Sequence, residues 1–138
     1  MALVACAVIF PTLGRDWLRQ GPARTAGTQA FLLAQKISAS HHAGPIAGSG
    51  SLPGGRTGLY LAFLLDQPWY GDEPKPSADS FKHSGARLII VRRDNPVVRE
   101  LESDPGYRSL DAELFGPPEQ ARASPLKVYE FIASRPEK

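Results

Sequence analysis

The sequence predicts a small α/β domain, a three-layer Rossmann-like sandwich with a short, mostly parallel sheet. Helix-period and strand-type segments alternate along the chain, which implies right-handed crossovers and helices on both sheet faces. Residues 86–91 are rich in β-branched side chains and apolar on both faces, as in the central strand of a parallel sheet. The 13 glycines and 13 prolines among 138 residues indicate many breaks between short elements.

The first half of the domain is predicted to contain two helices and one strand. A helix over residues 25–40, capped by Thr25 or Thr28, has one apolar face at i, i+3, i+4 and i+7 spacing, formed by Ala30, Leu33, Ala34 and Ile37. Residues 44–48 read as a short buried strand. Residues 59–65 are apolar throughout, which suits a buried helix or a buried strand, and we favour the helix because alanine and leucine dominate them.

The second half is predicted to contain two helices and three strands. A helix over residues 78–84 ends at Gly85, a residue suited to a helix C-terminus. The strand at 86–91 leads to a brief helix from Pro96 to Leu101. Residues 107–110 are predicted to form a short strand or extended segment. Residues 126–132 alternate in polarity, which predicts an edge strand or one exposed on one side.

Two stretches are predicted to be loops. Residues 71–77 are rich in proline and charge and follow a short aromatic stretch, and residues 116–118 read Gly-Pro-Pro. Glycine and proline clusters of this kind usually separate elements of secondary structure.

Composition excludes several classes of function. Hydrophobic residues are 42% and charged residues 22%, which is typical of a globular fold. The net charge of +2 is spread along the chain, whereas a nucleic-acid interface needs clustered basic residues. Cys6 is the only cysteine, so the sequence predicts no intramolecular disulfide and no cysteine-rich metal site. No cofactor is predicted.

The N-terminal segment, residues 1–14, is apolar but too short to span a bilayer, which needs roughly 20 apolar residues. It lacks the basic start of a signal peptide. Three interpretations remain open: a buried strand or helix, a truncated signal, or the last turns of a transmembrane helix, which we favour. Residues 15–27 read as a connector, and residues 28–138 as a single α/β domain.

A glycine-rich stretch resembles the phosphate-binding loop G-x-x-x-x-G-K-[ST], except that arginine replaces lysine. Its matching residues are Gly50, Gly55, Arg56 and Thr57. Arginine is bulkier than the lysine that reaches between phosphates, and Pro53 removes one backbone donor. The stretch therefore predicts either a phosphate site or, as the favoured interpretation, a flexible turn.

A second group of candidate ligand-binding residues mixes aromatic and basic side chains: Trp69, Tyr70, Lys75, Arg92 and Arg93. Aromatic rings stack on the apolar faces of sugars, and charges fix a ligand's orientation. The two arginines follow the predicted central strand, at the edge where open α/β sheets bind ligands. A loop that caps the sheet and an internal salt bridge are the alternatives.

Other chemistry is not predicted. His41 and His42 are adjacent and point in different directions, so they make a poor metal pair, and His83 is the only other histidine. The sequence holds no G-x-S-x-G nucleophile elbow and no Cys/His pair placed for covalent catalysis. We therefore predict no catalytic residue and no metal ligand in this chain.

Taken in order, several segments resemble the soluble C-terminal region of bacterial multi-spanning membrane glycosyltransferases of the dolichyl-phosphate-mannose/aminoarabinose transferase type. These segments are TQAFLLAQKI, GPIAGSG, LYLAFLLDQPWYG, SGARLIIVRRDNP, LESDPGYRSLD and PLKVYEFI. They cover about residues 24–133. Each is generic, and their order and spacing carry the resemblance.

The resemblance implies a non-catalytic accessory domain on the extracytoplasmic, periplasmic side of a membrane glycosyltransferase that uses a polyprenyl-phosphate-linked sugar. The family's catalytic aspartate lies between early transmembrane helices, so no residue here inherits that role. The implied partners are the membrane-embedded portion of the same or another protein and a lipid-linked sugar or acceptor. The alternatives are a freestanding, cytoplasmic α/β domain that binds a nucleotide or phosphorylated ligand at residues 50–57, and a protein-interaction domain that docks through its apolar N-terminus.

Overall fold

The computed structural model describes residues 26–49 and 57–132 of the chain. Its helices are α1 (Ala26–Ala39), α2 (Thr57–Leu64), α3 (Ala78–Ser84), α4 (Val97–Ser103), α5 (Asp111–Phe115) and α6 (Pro118–Ala123). Its strands are β1 (Ile46–Ser49), β2 (Trp69–Glu73), β3 (Leu88–Arg92), β4 (Tyr107–Ser109) and β5 (Leu126–Phe131). The apolar N-terminal segment and most of the predicted connector lie outside the described residues.

The strands form one open, mixed sheet in the order β2-β1-β3-β5-β4. Strand β1 pairs parallel with both β2 and β3, whereas β5 pairs antiparallel with both β3 and β4. The α/β class is thus confirmed, but a mostly parallel sheet is wrong, because two of the four strand pairings are antiparallel. The cause is β5, which inserts between β3 and β4 in the opposite direction.

Strand β5 is an interior strand, so the predicted edge or half-exposed position is wrong. Five of its six residues are buried, including Lys127 and Glu130. An alternation of charged and apolar residues predicts a solvent-exposed strand face only when the charged side chains have no partners inside the fold. Here both charged side chains form ion pairs with neighbouring elements, and the sheet continues beyond β5 to β4.

Two hydrophobic clusters cover the two faces of the sheet and give the domain three layers. One cluster joins residues of α1, α2 and α5 to the sheet side chains Ile46, Leu88, Ile90 and Val128. The other joins α3 and α4 to Ala47, Ile89, Val91 and Tyr129. Neighbouring residues in a strand point to opposite faces, which is why Ile89 and Ile90 lie in different clusters. The predicted core residues of α1 are all buried, which confirms its apolar face.

Helix α3 shows how local sequence sets helix ends. The Ser77 side chain accepts a hydrogen bond from the Ser80 backbone N–H, and the Ser80 hydroxyl accepts one from the Ser77 backbone N–H. This reciprocal pair is a capping box. Gly85 ends the helix with a φ of 72°, a left-handed conformation that glycine adopts without strain. The predicted helix and its C-terminal glycine are both confirmed.

Two predicted loops contain regular structure. Residues 71–73 of the loop predicted at 71–77 belong to β2, because parallel pairing with β1 satisfies their backbone groups. The segment around residues 116–118 lies between two short helices, α5 and α6. Pro118 opens α6 at the first helical position, where a missing N–H costs nothing.

Trp69 fixes helix α2 against the sheet. A Cβ placed on Gly58 of α2 would lie 2.5 Å from Cη2 of Trp69, and one placed on Gly48 of β1 would lie 3.1 Å from the same atom. The indole therefore occupies space that two glycines leave open. This close approach couples the helix to the first two strands.

We predict that Gly58→Ala lowers the free energy of unfolding by about 1–3 kcal/mol, because the rigid indole must move to admit the methyl group. Alanine's helix preference of about 1 kcal/mol acts in the opposite direction and is outweighed. The control is Gly27→Ala in α1, where no atom lies within 4 Å of the new Cβ; this variant should be slightly more stable. Urea unfolding of both variants measures the effect, and a Gly58→Ala protein as stable as the parent would contradict it.

Candidate functional site

Ligands of open α/β sheets usually bind at the carboxyl ends of the parallel strands. Strand β1 connects to α2 on one face of the sheet, and β2 connects to α3 on the other. Strand β3 lies on the opposite side of β1 from β2 and continues into α4. A crevice for ligands usually opens where successive connections diverge in this way. At this point the Asn95 side chain donates to the Ser49 hydroxyl across 3.3 Å, which joins the ends of β1 and β3.

The predicted phosphate-binding residues follow β1 in the chain order. Gly50, Gly55 and Arg56 lie outside the described residues. Thr57 begins α2 and is buried. Close by, Oδ1 of Asp72 lies 2.9 Å from the Cβ position of Gly48, and burial raises the pKa of Asp72. A carboxylate beside the end of β1 is an unfavourable neighbour for a bound anion.

The two arginines that follow β3 make contacts within the domain. Arg92 donates to both carboxylate oxygens of Asp94, at 2.8 and 2.6 Å. Arg93 donates to the carbonyls of Ala121 and Ser124 and to the carboxylate of Asp111. Arg93 therefore ties the loop between α6 and β5 to the end of β3.

The aromatic members of the predicted ligand group lie apart from the arginines. Trp69 starts β2 and pairs with Ile46 at the amino end of β1, and its indole is packed between two glycines. The outer edge of its six-membered ring is therefore packed against protein, and the side chain is partly exposed. Tyr70 is exposed, and Lys75 is exposed in the loop after β2. The structure does not bring the five residues into one cluster.

Glu130 is the centre of a buried charge network at the opposite, amino edge of the parallel strands. It is only 3% exposed. Arg87 donates to its Oε1 through Nε and Nη2, and Arg108 donates to its Oε2 at 2.6 Å. His42 lies between two carboxylates, with Nδ1 3.3 Å from Glu130 and Nε2 2.9 Å from Glu113. The network joins the segment after α1 to α5, β4 and β5.

The network changes the pKa of both of its carboxyl groups. Burial alone would raise the pKa of Glu130, but hydrogen bonds from Arg108, Arg87 and His42 outweigh burial and hold it below its ordinary value. The hydrogen bond with His42 is also the main reason that the pKa of Glu113 is lowered. Both groups are thus stabilised as carboxylates, which is the state that binds arginine.

A second buried network lies on the other face of β5. Lys127 pairs with Glu102 of α4, and its Nζ lies 3.8 Å from Asp111 at the start of α5. Asp111 also accepts a hydrogen bond from the Val128 backbone N–H. Burial, followed by the charges of Glu102 and Asp111, raises the pKa of Tyr129. Lys127, Glu102 and Asp111 contact one another and hold α4 and α5 on β5, whereas the buried Tyr129 hydroxyl has no hydrogen-bond partner among the described residues.

The histidines do not form a metal site among residues 26–49 and 57–132, where no group of three or more His, Cys, Asp or Glu side chains could hold a metal ion. His42 belongs to the Glu130 network. Nδ1 of His83 lies 2.7 Å from the carbonyl oxygen of Asp79 within α3.

An exposed apolar surface lies on the outer side of α1 and α2. It is formed by Phe31, Tyr60, Phe63 and Leu64, and we call it the α1–α2 apolar face. Phe63 is 83% exposed and Phe31 is 50% exposed. Together with Gly27, these side chains line a shallow groove of about 250 Å³ between the two helices. Leu32 and Leu59 add further exposed apolar side chains on the same two helices.

Charge is nearly absent from this surface. The 14 residues of α1 include one charged side chain, Lys36, and the 8 residues of α2 include none. A helix that is apolar on all sides is normally buried. The all-round apolar character of α2 is visible in the sequence of residues 59–65. The sequence does not reveal that only one side of α2 packs against the core and that its other side is exposed.

No protein-family model matches this chain, and no curated protein or solved structure is significantly similar to it. The resemblance to membrane glycosyltransferases therefore stays a prediction. Among the described helices, none combines the length and the apolar character needed to cross a bilayer.

We predict that Glu130→Gln lowers the free energy of unfolding at neutral pH by about 1–3 kcal/mol, because two arginines lose a charged acceptor. Both arginine side chains are about half exposed and can regain water, which limits the loss. The exposed Glu119 offers a control, since Glu119→Gln should change stability little. Urea unfolding measures both variants.

The same carboxylate predicts a dependence on pH. The folded pKa of Glu130 is lowered, so its contribution is present above the unfolded value of about 4.3 and is lost as the pH falls through the folded value. The stability difference between the parent and Glu130→Gln should therefore shrink as the pH falls below about 4.3. A difference that stays constant through that range would show that the charge of Glu130 is not what stabilises the fold.

Proposed function

We propose that the chain is a non-catalytic accessory domain on the extracytoplasmic side of a membrane glycosyltransferase that uses a polyprenyl-phosphate-linked sugar. The α1–α2 apolar face is the observation that carries this proposal. A contiguous apolar surface without charge is typical of a region that contacts an apolar partner. A domain held beside a membrane has such a partner.

The use of the charged side chains supports a domain whose chemistry is supplied elsewhere. Arg93, Lys127 and Glu130 each bind groups of other elements and hold α4, α5 and the loop before β5 in place. Their directional bonds are made within the domain. The partner would be the membrane-embedded portion of the same or another protein, which would hold the lipid-linked sugar and the acceptor.

The order of the sequence segments supports the same function. The resemblance to the soluble region of glycosyltransferases covers α1 through β5, and the apolar residues 2–13 stand immediately before the connector. DNA upstream of the Met1 codon provides a direct check. Several hydrophobic spans encoded in the same frame would support the proposal.

We predict that Phe63→Asp, placed in the complete reading frame, lowers sugar transfer in isolated membranes about tenfold or more. Burying a phenylalanine side chain contributes about 1.5–3 kcal/mol, and 1.4 kcal/mol corresponds to a factor of ten. Transfer from polyprenyl-phosphate-mannose and polyprenyl-phosphate-aminoarabinose is the measurement. Because Phe63 is largely exposed, the variant should fold, and immunoblotting confirms its abundance.

The matched control is Ser103→Asp, which adds the same charge to an exposed position of α4 on the opposite side of the sheet. It should leave transfer unchanged. Full transfer by the Phe63→Asp protein would contradict the proposal, as would transfer catalysed by the purified 138-residue chain alone.

A second function is favoured by the position of residues 50–57. They connect β1 to α2 at the point where the connections of β1 and β3 diverge, and the parallel strand order β2-β1-β3 places β1 between its neighbours. A Rossmann-like half-domain binds phosphate at such a connection. In this case the chain would be a freestanding cytoplasmic domain that binds a nucleotide or another phosphorylated ligand.

This second function predicts that the 138-residue chain binds ATP or GTP and that Arg56→Ala abolishes binding, because a guanidinium supplies paired donors to phosphate oxygens. Isothermal titration of both nucleotides is the measurement. Arg122→Ala is the control, since Arg122 is an exposed residue of α6. Absence of binding by the parent chain removes this function and leaves the first intact.

A further inference from the structure

We propose that the α1–α2 apolar face lies in the interfacial layer of a lipid bilayer, with the Phe31 and Phe63 rings at the boundary between headgroups and acyl chains. The inference rests on the proposed function only in that it places the domain beside a membrane. It names lipid, rather than the membrane-embedded protein, as the partner of this face.

The chemistry of the face suits this boundary. Its exposed members are two phenylalanines, one leucine and Tyr60, whose ring is apolar and whose hydroxyl is polar. Aromatic side chains of this kind are enriched where a bilayer meets water. Interfacial helices bury an apolar side roughly 5–10 Å into the membrane surface while their other side stays in contact with water or protein. Helices α1 and α2 meet this condition because their inner sides pack on the sheet.

The chain before α1 indicates the same partner. Residues 2–13 are apolar, and the following residues contain Arg15, Arg19 and Arg24 against a single acidic residue, Asp16. Arginines next to an apolar segment complement anionic lipid headgroups. The twelve residues 14–25 span at most roughly 40 Å. An apolar segment placed in a membrane would therefore hold α1 within reach of the surface of that membrane.

The size of the face argues against a second copy of the chain. From the exposed fractions of its four side chains, and about 150–250 Å² per aromatic side chain, the face offers roughly 400 Å². A stable protein interface buries about 800 Å² on each partner. A bilayer sets no such threshold for a domain that a neighbouring segment already anchors.

Residues 2–13 are an alternative occupant of the α1–α2 apolar face, but folding back on it would remove less apolar surface from water. That segment is apolar along its length, so docking on α1 and α2 would leave its outer side in water. A bilayer covers both the segment and the face. The larger apolar area removed from water favours the bilayer.

The test labels the face with a fluorophore that reports polarity. In the 138-residue chain, Cys6→Ser removes the only cysteine, and Phe63→Cys provides one attachment point. The control is Ser103→Cys, an exposed position of α4 on the other side of the sheet. Both labelled proteins are mixed with vesicles of phosphatidylcholine and phosphatidylglycerol, and bound protein is collected by sedimentation.

The expected result is a blue shift and a several-fold loss of quenching by iodide for the label at position 63, on vesicle-bound protein only, with no change at position 103. A label at position 63 that stays polar on bound protein would overturn the inference. A label at position 63 that is already shielded in buffer would also overturn the inference. Dilution would expose such a label if a second copy shields it, and deletion of residues 1–13 would expose it if that segment does.

The vesicles contain no protein, so this result is independent of the transfer assay. A polar label at position 63, together with loss of transfer by Phe63→Asp in membranes, would overturn the lipid contact and leave the accessory function with a protein partner. A shielded label with normal transfer by Phe63→Asp would support the lipid contact and contradict the accessory function.

Discussion

Strand β5 is buried on both faces of the sheet, and its two buried charged residues must therefore find partners in opposite layers. Glu130 meets Arg87, Arg108 and His42 on the side of α1 and α5, and Lys127 meets Glu102 on the side of α4. Leaving a charge unpaired inside a protein costs several kcal/mol, so each pairing fixes the element that supplies the partner. Together with hydrophobic packing, these pairings fix the positions of α4, α5 and the segment after α1. The antiparallel insertion of β5 places both charges in the middle of the domain.

The same arrangement separates polar and apolar surfaces. Ion pairs concentrate around β3, β4 and β5, whereas α1 and α2 together carry a single charged residue. One side of each of these helices supplies the core, and the other exposes large apolar side chains. A soluble domain gains nothing from exposing Phe63 to water. The asymmetry agrees with the proposed contact between the α1–α2 apolar face and a membrane.

Sequence reasoning succeeded where local chemistry decides the structure. The apolar spacing from Ala30 to Ile37 identified the buried side of α1, and Gly85 marked the end of α3. It missed strand β2, and it placed the correctly predicted strand β5 at an edge of the sheet, because pairing with strands distant in the chain decides both features. The candidate site was affected in the same way. Trp69 of the predicted ligand group packs against Gly48 and Gly58, and no local signal in the sequence reveals that contact.

The sequence by itself determined the α/β class, the positions of α1 to α4, and the presence of a charge-free apolar helix, because periodicity, capping residues and composition act over a few neighbouring residues. Only the tertiary structure decided the direction of β5, the partners of Glu130 and Lys127, and which side of α2 remains open. Those features depend on contacts between residues far apart in the chain, such as Arg87 with Glu130 and His42 with Glu113. A short-range sequence pattern contains no information about these long-range contacts, since the alternating residues of β5 are equally compatible with a solvent-exposed edge strand.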